Sequence, residues 1–141
     1  MENSSRLKIR LSRILAVSVV VAGLVGVGGV AWAGNSYVAF NLTLPVAQVA
    51  GNTASQTKAT TGLAGNIHIT SVGSTYTVDA QMCSLFGLYC GGGTKVFGLN
   101  DGQSSTLQNS YGGGGSGMVA QLRIGSFNSV SVQVIGSWRS R

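Results

Sequence analysis

The chain is 141 residues long, which fits one domain. Charged residues make up only 9% of it, well under the ~25% of an average soluble protein. Four of its nine Lys and Arg lie near the start, at Arg6, Lys8, Arg10 and Arg13; beyond Gly34 five cations (Lys58, Lys95, Arg123, Arg139, Arg141) face two acids (Asp79, Asp101), a net +3, which excludes the clustered Lys and Arg of a nucleic-acid footprint and favours weak attraction to anionic surfaces.

The first element in chain order is a targeting segment. Residues 6–13, RLKIRLSR, form a basic n-region, and Ile14–Val30 contains no charge. Ala31-Trp32-Ala33 then supplies small residues at the −3 and −1 positions before Gly34. That order is the grammar of a secretory signal peptide over 1–33, cleaved between Ala33 and Gly34, with an extracellular domain over 34–141. The alternative is an uncleaved membrane anchor over 14–33, since that run is long enough to span a bilayer, with its basic end in the cytoplasm. Glycines at 23, 26, 28 and 29 weaken such a helix, and the small-x-small ending favours cleavage.

After Gly34 the dominant pattern is alternation with period two. Val38, Phe40, Leu42 and Leu44 share one face of a strand over 37–44, which Pro45 ends. Residues 46–64 are small and polar, and read as a loop or a weak edge strand. Ile67 and Ile69 share a face of a strand over 66–70. Tyr76, Val78, Ala80 and Met82 alternate with Thr75, Thr77, Asp79 and Gln81, and Val72-Gly73-Ser74 between these two runs predicts a hairpin turn. A strand over 94–99 leads to an Asn100-Asp101-Gly102 turn, and 103–117 reads as a Gly-rich surface loop. Met118, Ala120, Leu122 and Ile124 point inward on the next strand. Ser126–Asn128 turns the chain, and Val130, Val132, Val134 and Trp138 share the buried face of the last one.

Six or seven one-sided strands with no helical period need a second layer to bury them. The expected fold is all-β, a small antiparallel β-sandwich or flattened barrel after an N-terminal signal helix. Its expected core is Phe40, Leu42, Ile67, Ile69, Tyr76, Val78, Leu122, Ile124, Val132 and Val134. The closing run Val130-Ser-Val-Gln-Val-Ile-Gly-Ser-Trp138, together with the long basic n-region, resembles small secreted β-sandwich proteins of Gram-positive bacteria, some uncharacterised and some bacteriocin-like. The resemblance carries no functional residue across.

Cys83 and Cys90 enclose Ser-Leu-Phe-Gly-Leu-Tyr. Outside the membrane such a pair reads as a disulfide, and closing an eight-residue loop would stabilise the fold by roughly 2.5 kcal/mol; two free buried thiols are the alternative. A lone pair of cysteines is no zinc site, and no cofactor is expected. Leu85, Phe86, Leu88 and Tyr89 within that loop are a candidate docking tip for a membrane or partner; the alternative is that they fold back as core. His68, the only histidine, falls on a polar face. Asp79 and Asp101 are the only carboxylates after Gly34, and a Cys83–His68–Asp79 constellation would lose its nucleophile to a disulfide. No catalytic residue is therefore expected. The functional expectation is a secreted, non-enzymatic binding or structural module of the bacterial cell surface. The alternative is a cationic antimicrobial or bacteriocin-like protein acting on anionic membranes or cell envelopes.

Overall fold

The structure is a computed structural model and describes residues 32–60, 62–90, 94–108 and 117–141. The segment 1–31, and with it most of the expected signal or anchor, lies outside the described residues, as do 91–93 and the core of the Gly-rich stretch, 109–116.

The chain is all-β. Its strands are β1 (Trp32–Ala33), β2 (Val38–Leu44), β3 (Gly51–Asn52), β4 (Gln56–Thr57), β5 (Gly65–Val72), β6 (Val78–Cys83), β7 (Val96–Leu99), β8 (Ser104–Leu107), β9 (Val119–Ile124) and β10 (Val132–Arg139). Sheet I has the order β2-β10-β5-β8 and sheet II the order β3-β9-β6-β7. Neighbouring strands in both sheets are antiparallel. Among the described residues only β1 and β4 pair in parallel, as a two-stranded ribbon that carries the backbone of Ala33 past Thr57.

Alternation decides which face is buried. Phe40 and Leu44 of β2, Ile67, Ile69 and Val72 of β5, Val132, Val134 and Trp138 of β10, and Leu107 of β8 form one inner face. Val78, Ala80 and Met82 of β6, Leu99 of β7 and Ala120, Leu122 and Ile124 of β9 form the other. Met118 joins this core, and Leu42, Tyr76 and Val96 pack against its margin. All ten expected core residues are thus in the core or packed on it. Burial here is worth ~25 cal/mol per Å² of apolar surface.

The connections differ from expectation. Val72-Gly73-Ser74 is not a hairpin: β5 lies in sheet I and β6 in sheet II, so the chain crosses the sandwich there. The Asn100–Gly102 turn likewise crosses, from β7 to β8, with Gly102 at φ 74°. Ser104–Leu107 is a strand on the edge of sheet I, not loop, because Leu107 fills the core and its backbone pairs with β5. The stretch 46–64 contributes two dipeptide strands, β3 and β4. Val130 is exposed, not core, because the Asn128 amide holds the Val130 carbonyl at 2.7 Å and the strand begins only at Val132. Among the described residues, β6 and β7 are the sequence neighbours that pair within one sheet, and the Cys83–Cys90 segment lies on the connection between them.

Gly136 shows how tightly β10 is enclosed. The pairing with β5 shifts between Ile135 and Gly136, and a Cβ at Gly136 would stand 2.7 Å from the Phe40 ring. Only glycine fits there.

Candidate functional site

The Cys83–Cys90 loop stands at one end of the sandwich. β6 leads into it, with Cys83 opposite Val119 of β9. The two cysteines form a disulfide, with Cα atoms 4.3 Å apart. Within the ring, Ser84 and Tyr89 make an antiparallel bridge, with the Ser84 N–H donating to the Tyr89 carbonyl at 2.9 Å. The residues between them form a single tight turn over Leu85–Gly87.

That turn is left-handed. Leu85, Phe86 and Gly87 have φ of 50°, 56° and 91°. Left-handed backbone costs a residue with a side chain roughly 1–2 kcal/mol, so Leu85 and Phe86 hold it only because their surroundings impose it. The Phe86 N–H donates to the Gly117 carbonyl at 2.8 Å. The Asn52 amide of β3 donates to the Phe86 carbonyl at 3.2 Å. The Gln121 amide of β9 donates to Gly87 O at 3.5 Å and to Asn52 Oδ1 at 3.2 Å. The Gln81 amide of β6 donates to the Cys90 carbonyl at 2.6 Å. Three carboxamides and a disulfide thus hold the backbone of an eight-residue ring.

The consequence lies in the side chains. Leu85 is 59% exposed, Phe86 67%, Leu88 88% and Tyr89 53%. The segment does not fold back as core; all four candidate docking residues face solvent. The Phe86 ring edge rests on Gly117, where a Cβ would meet it at 3.1 Å. A fixed, strained backbone that presents large apolar groups to water is unusual for a turn that only connects strands.

Cations share this end. Gln56 joins three strands there: its backbone pairs with Met118, its side-chain amide donates to the Trp138 carbonyl at 2.9 Å, and its Oε1 accepts from Ser140 N at 2.9 Å. Beside it the buried Lys58 donates to the carbonyls of Leu63 and Ser140, and desolvation lowers its pKa from the ordinary 10.5. Arg139 lies over the exposed Tyr37 ring, 4.7 Å from its centroid. Gly34, the residue after the expected cleavage site, is buried against these groups; its N–H donates to Thr57 O at 2.8 Å and its carbonyl accepts from Arg141 N at 2.7 Å.

Both carboxylates lie toward the opposite end and both serve backbone amides. Asp101 accepts from Val72 N at 2.6 Å, and Asp79 accepts from Gly98 N at 3.1 Å. Among the described residues neither forms an ion pair with a Lys or Arg, although Asp79 stands opposite Arg123 of β9. The remaining members of the Cys83–His68–Asp79 constellation are not brought together. His68 is on the outer face of sheet I, 2.9 Å from Ser104 Oγ, whereas Asp79 is on sheet II.

The opposite end holds a feature that the sequence reading missed. Asn128 is fully buried; its side chain accepts from Gln48 N at 3.0 Å and donates to the carbonyls of Pro45 and Val130. It pins the 45–50 loop, where Ala47 and Gln48 have φ of 63° and 60°, to the 125–131 loop. Val46, Val49, Phe127 and Val130 around it are exposed. A lone Asn in a Ser-Phe-Asn-Ser turn offered no signal of this role.

No family model, no curated protein and no solved structure matches the chain.

Proposed function

We propose that the chain is a secreted, non-enzymatic binding module of the bacterial cell surface, and that it engages its target through the disulfide-closed tip. The observation that carries this reading is the exposure of Leu85, Phe86, Leu88 and Tyr89 on a backbone held in left-handed conformation. A pre-shaped tip avoids the ordering cost of binding. Inserting these groups into an apolar medium is worth several kcal/mol at ~25 cal/mol per Å². Arg139 and Arg141 at the same end supply the salt-sensitive attraction to an anionic envelope.

The same tip also favours the second reading, a cationic antimicrobial or bacteriocin-like protein that perturbs the membrane it enters. Vesicles of phosphatidylglycerol loaded with dye separate the two. The binding-module reading expects sedimentation with the vesicles, weakened by salt, without dye release. Release in proportion to bound protein supports the second reading, and no association with anionic or neutral vesicles or with Gram-positive cell walls overturns both.

A further inference from the structure

The outer face of sheet II carries a groove that the tip does not use. It is shallow, with a cavity volume of about 60 Å³, and is lined by Ala50, Asp79, Ala80, Gln81, Lys95, Gln121 and Arg123. The strand order β9-β6-β7 explains it. Arg123 stands on β9 and Lys95 just before β7, so the two cations flank β6 from either side. Two strand spacings put their backbones about 9.5 Å apart, a gap that two long side chains close over one small ligand. The wall toward β3 is low because Ala50 and Gly51 have little side chain.

Charge decides what such a groove takes. Lys95 and Arg123 form no ion pair among the described residues, although Asp79 stands opposite Arg123 in the β6–β9 register; Lys95 Nζ lies 5.7 Å from the exposed Phe97 ring. Asp79 lies between them, 6% exposed, with one oxygen occupied by Gly98 N–H. A guanidinium fork beside an ammonium matches a phosphate. A carboxylate next to that pair repels a bare anion but accepts a hydrogen bond from a hydroxyl carried by it.

We propose that this groove binds a phosphate ester of a polyol, with the phosphate between Lys95 and Arg123 and a hydroxyl donated to Asp79. It is a second site: it stands or falls independently of docking by the tip. The shared chemistry of a soluble polyol phosphate, a polymer of such units and a glycerophospholipid headgroup is glycerol phosphate.

Amide chemical-shift titration of the exported protein with sn-glycerol 3-phosphate, inorganic phosphate and glycerol tests it. Glycerol 3-phosphate is expected to shift amides of β6 and β9 around Asp79 and Arg123 and to bind more tightly than the other two. The Lys95→Gln, Arg123→Gln double variant should lose at least tenfold in affinity at unchanged Tm, while Phe86→Ser with Leu88→Ser should leave it intact. Equal shifts from glycerol, equal affinity in the Lys95–Arg123 variant, or no shift at tens of millimolar ester overturns the proposal. Phosphatidylglycerol vesicles then identify the source. Binding that survives the tip substitutions but not the groove substitutions assigns the lipid headgroup, and binding lost with the tip alone assigns the soluble or polymeric ester.

Discussion

The two ends of the sandwich solve one problem in different ways. At one end Leu85 and Phe86 are held in left-handed backbone by a disulfide and three carboxamides that reach in from β3, β6 and β9. At the other, Ala47 and Gln48 are held in the same conformation by Asn128, whose backbone carbonyl accepts from Ala47 N–H and whose buried carboxamide binds Gln48 N–H and the Pro45 carbonyl. Both ends expose apolar side chains. The first clamp is covalent; its Cys83 is fully buried but stands outside the apolar cluster of the core, so its loss should stay local. The second is non-covalent and fully buried, beside the start of β10, so its loss should reach the core. Both ends hold left-handed backbone, and only the second ties it to the start of β10.

Four expected outcomes sharpen that contrast, in descending size. Val132→Asp buries a charge that no partner meets, and should cost several kcal/mol and leave the domain largely unfolded. Gln133→Asp, one residue on and facing solvent, should be nearly neutral by thermal melting. Equal losses at the two positions would contradict the register of β10.

Asn128→Ala comes next. It strands Gln48 N and the carbonyls of Pro45 and Val130, and should cost about 3 kcal/mol, lowering Tm by more than ten degrees in a domain of about this size. Hydrogen exchange should then accelerate in β2 and β10 as well as in the two loops. Removing both cysteines as Cys83→Ala, Cys90→Ala should cost at most about 2.5 kcal/mol, with exchange rising chiefly over 84–90. A larger loss from the cysteine pair than from Asn128 would reverse the contrast.

What could be read in advance follows the same division. Phe40, Ile67, Val78, Leu122 and Val134 were readable because one-sided strands must repeat every second residue whatever they pair with. The partner of each strand was not. Gly73 sits in a short polar turn that looks the same whether the chain doubles back within a sheet or crosses to the other one, and here it crosses. Val130 continued the alternation of Val132 and Val134, but the hydrogen bond from Asn128 to its carbonyl bends the chain first. The Cys83–Cys90 closure was visible from spacing. The exposure of the four apolar residues inside it was not, because Leu and Phe in a row read equally as core; the distant amides of Asn52 and Gln121 decide it.

The smallest expected effect concerns Lys58. Its folded pKa lies below the unfolded 10.5 because burial disfavours the ammonium. Between those two values the unfolded chain binds more protons, so stability should rise as pH climbs toward 10.5. Lys58→Met should flatten that rise in chemical denaturation curves taken from neutral to alkaline pH. An unchanged slope would mean that the ammonium is not desolvated in the folded state.

Under the proposed function the apolar tip serves an external surface and not the core. Phe86→Ser with Leu88→Ser, measured side by side for Tm and for binding to phosphatidylglycerol vesicles, tests it most directly. Both side chains are exposed, so Tm should stay within a few degrees of the parent while vesicle binding falls at least tenfold. A Tm lowered by well over ten degrees would place these residues in the core, and unchanged binding at unchanged Tm would remove the tip from the interaction.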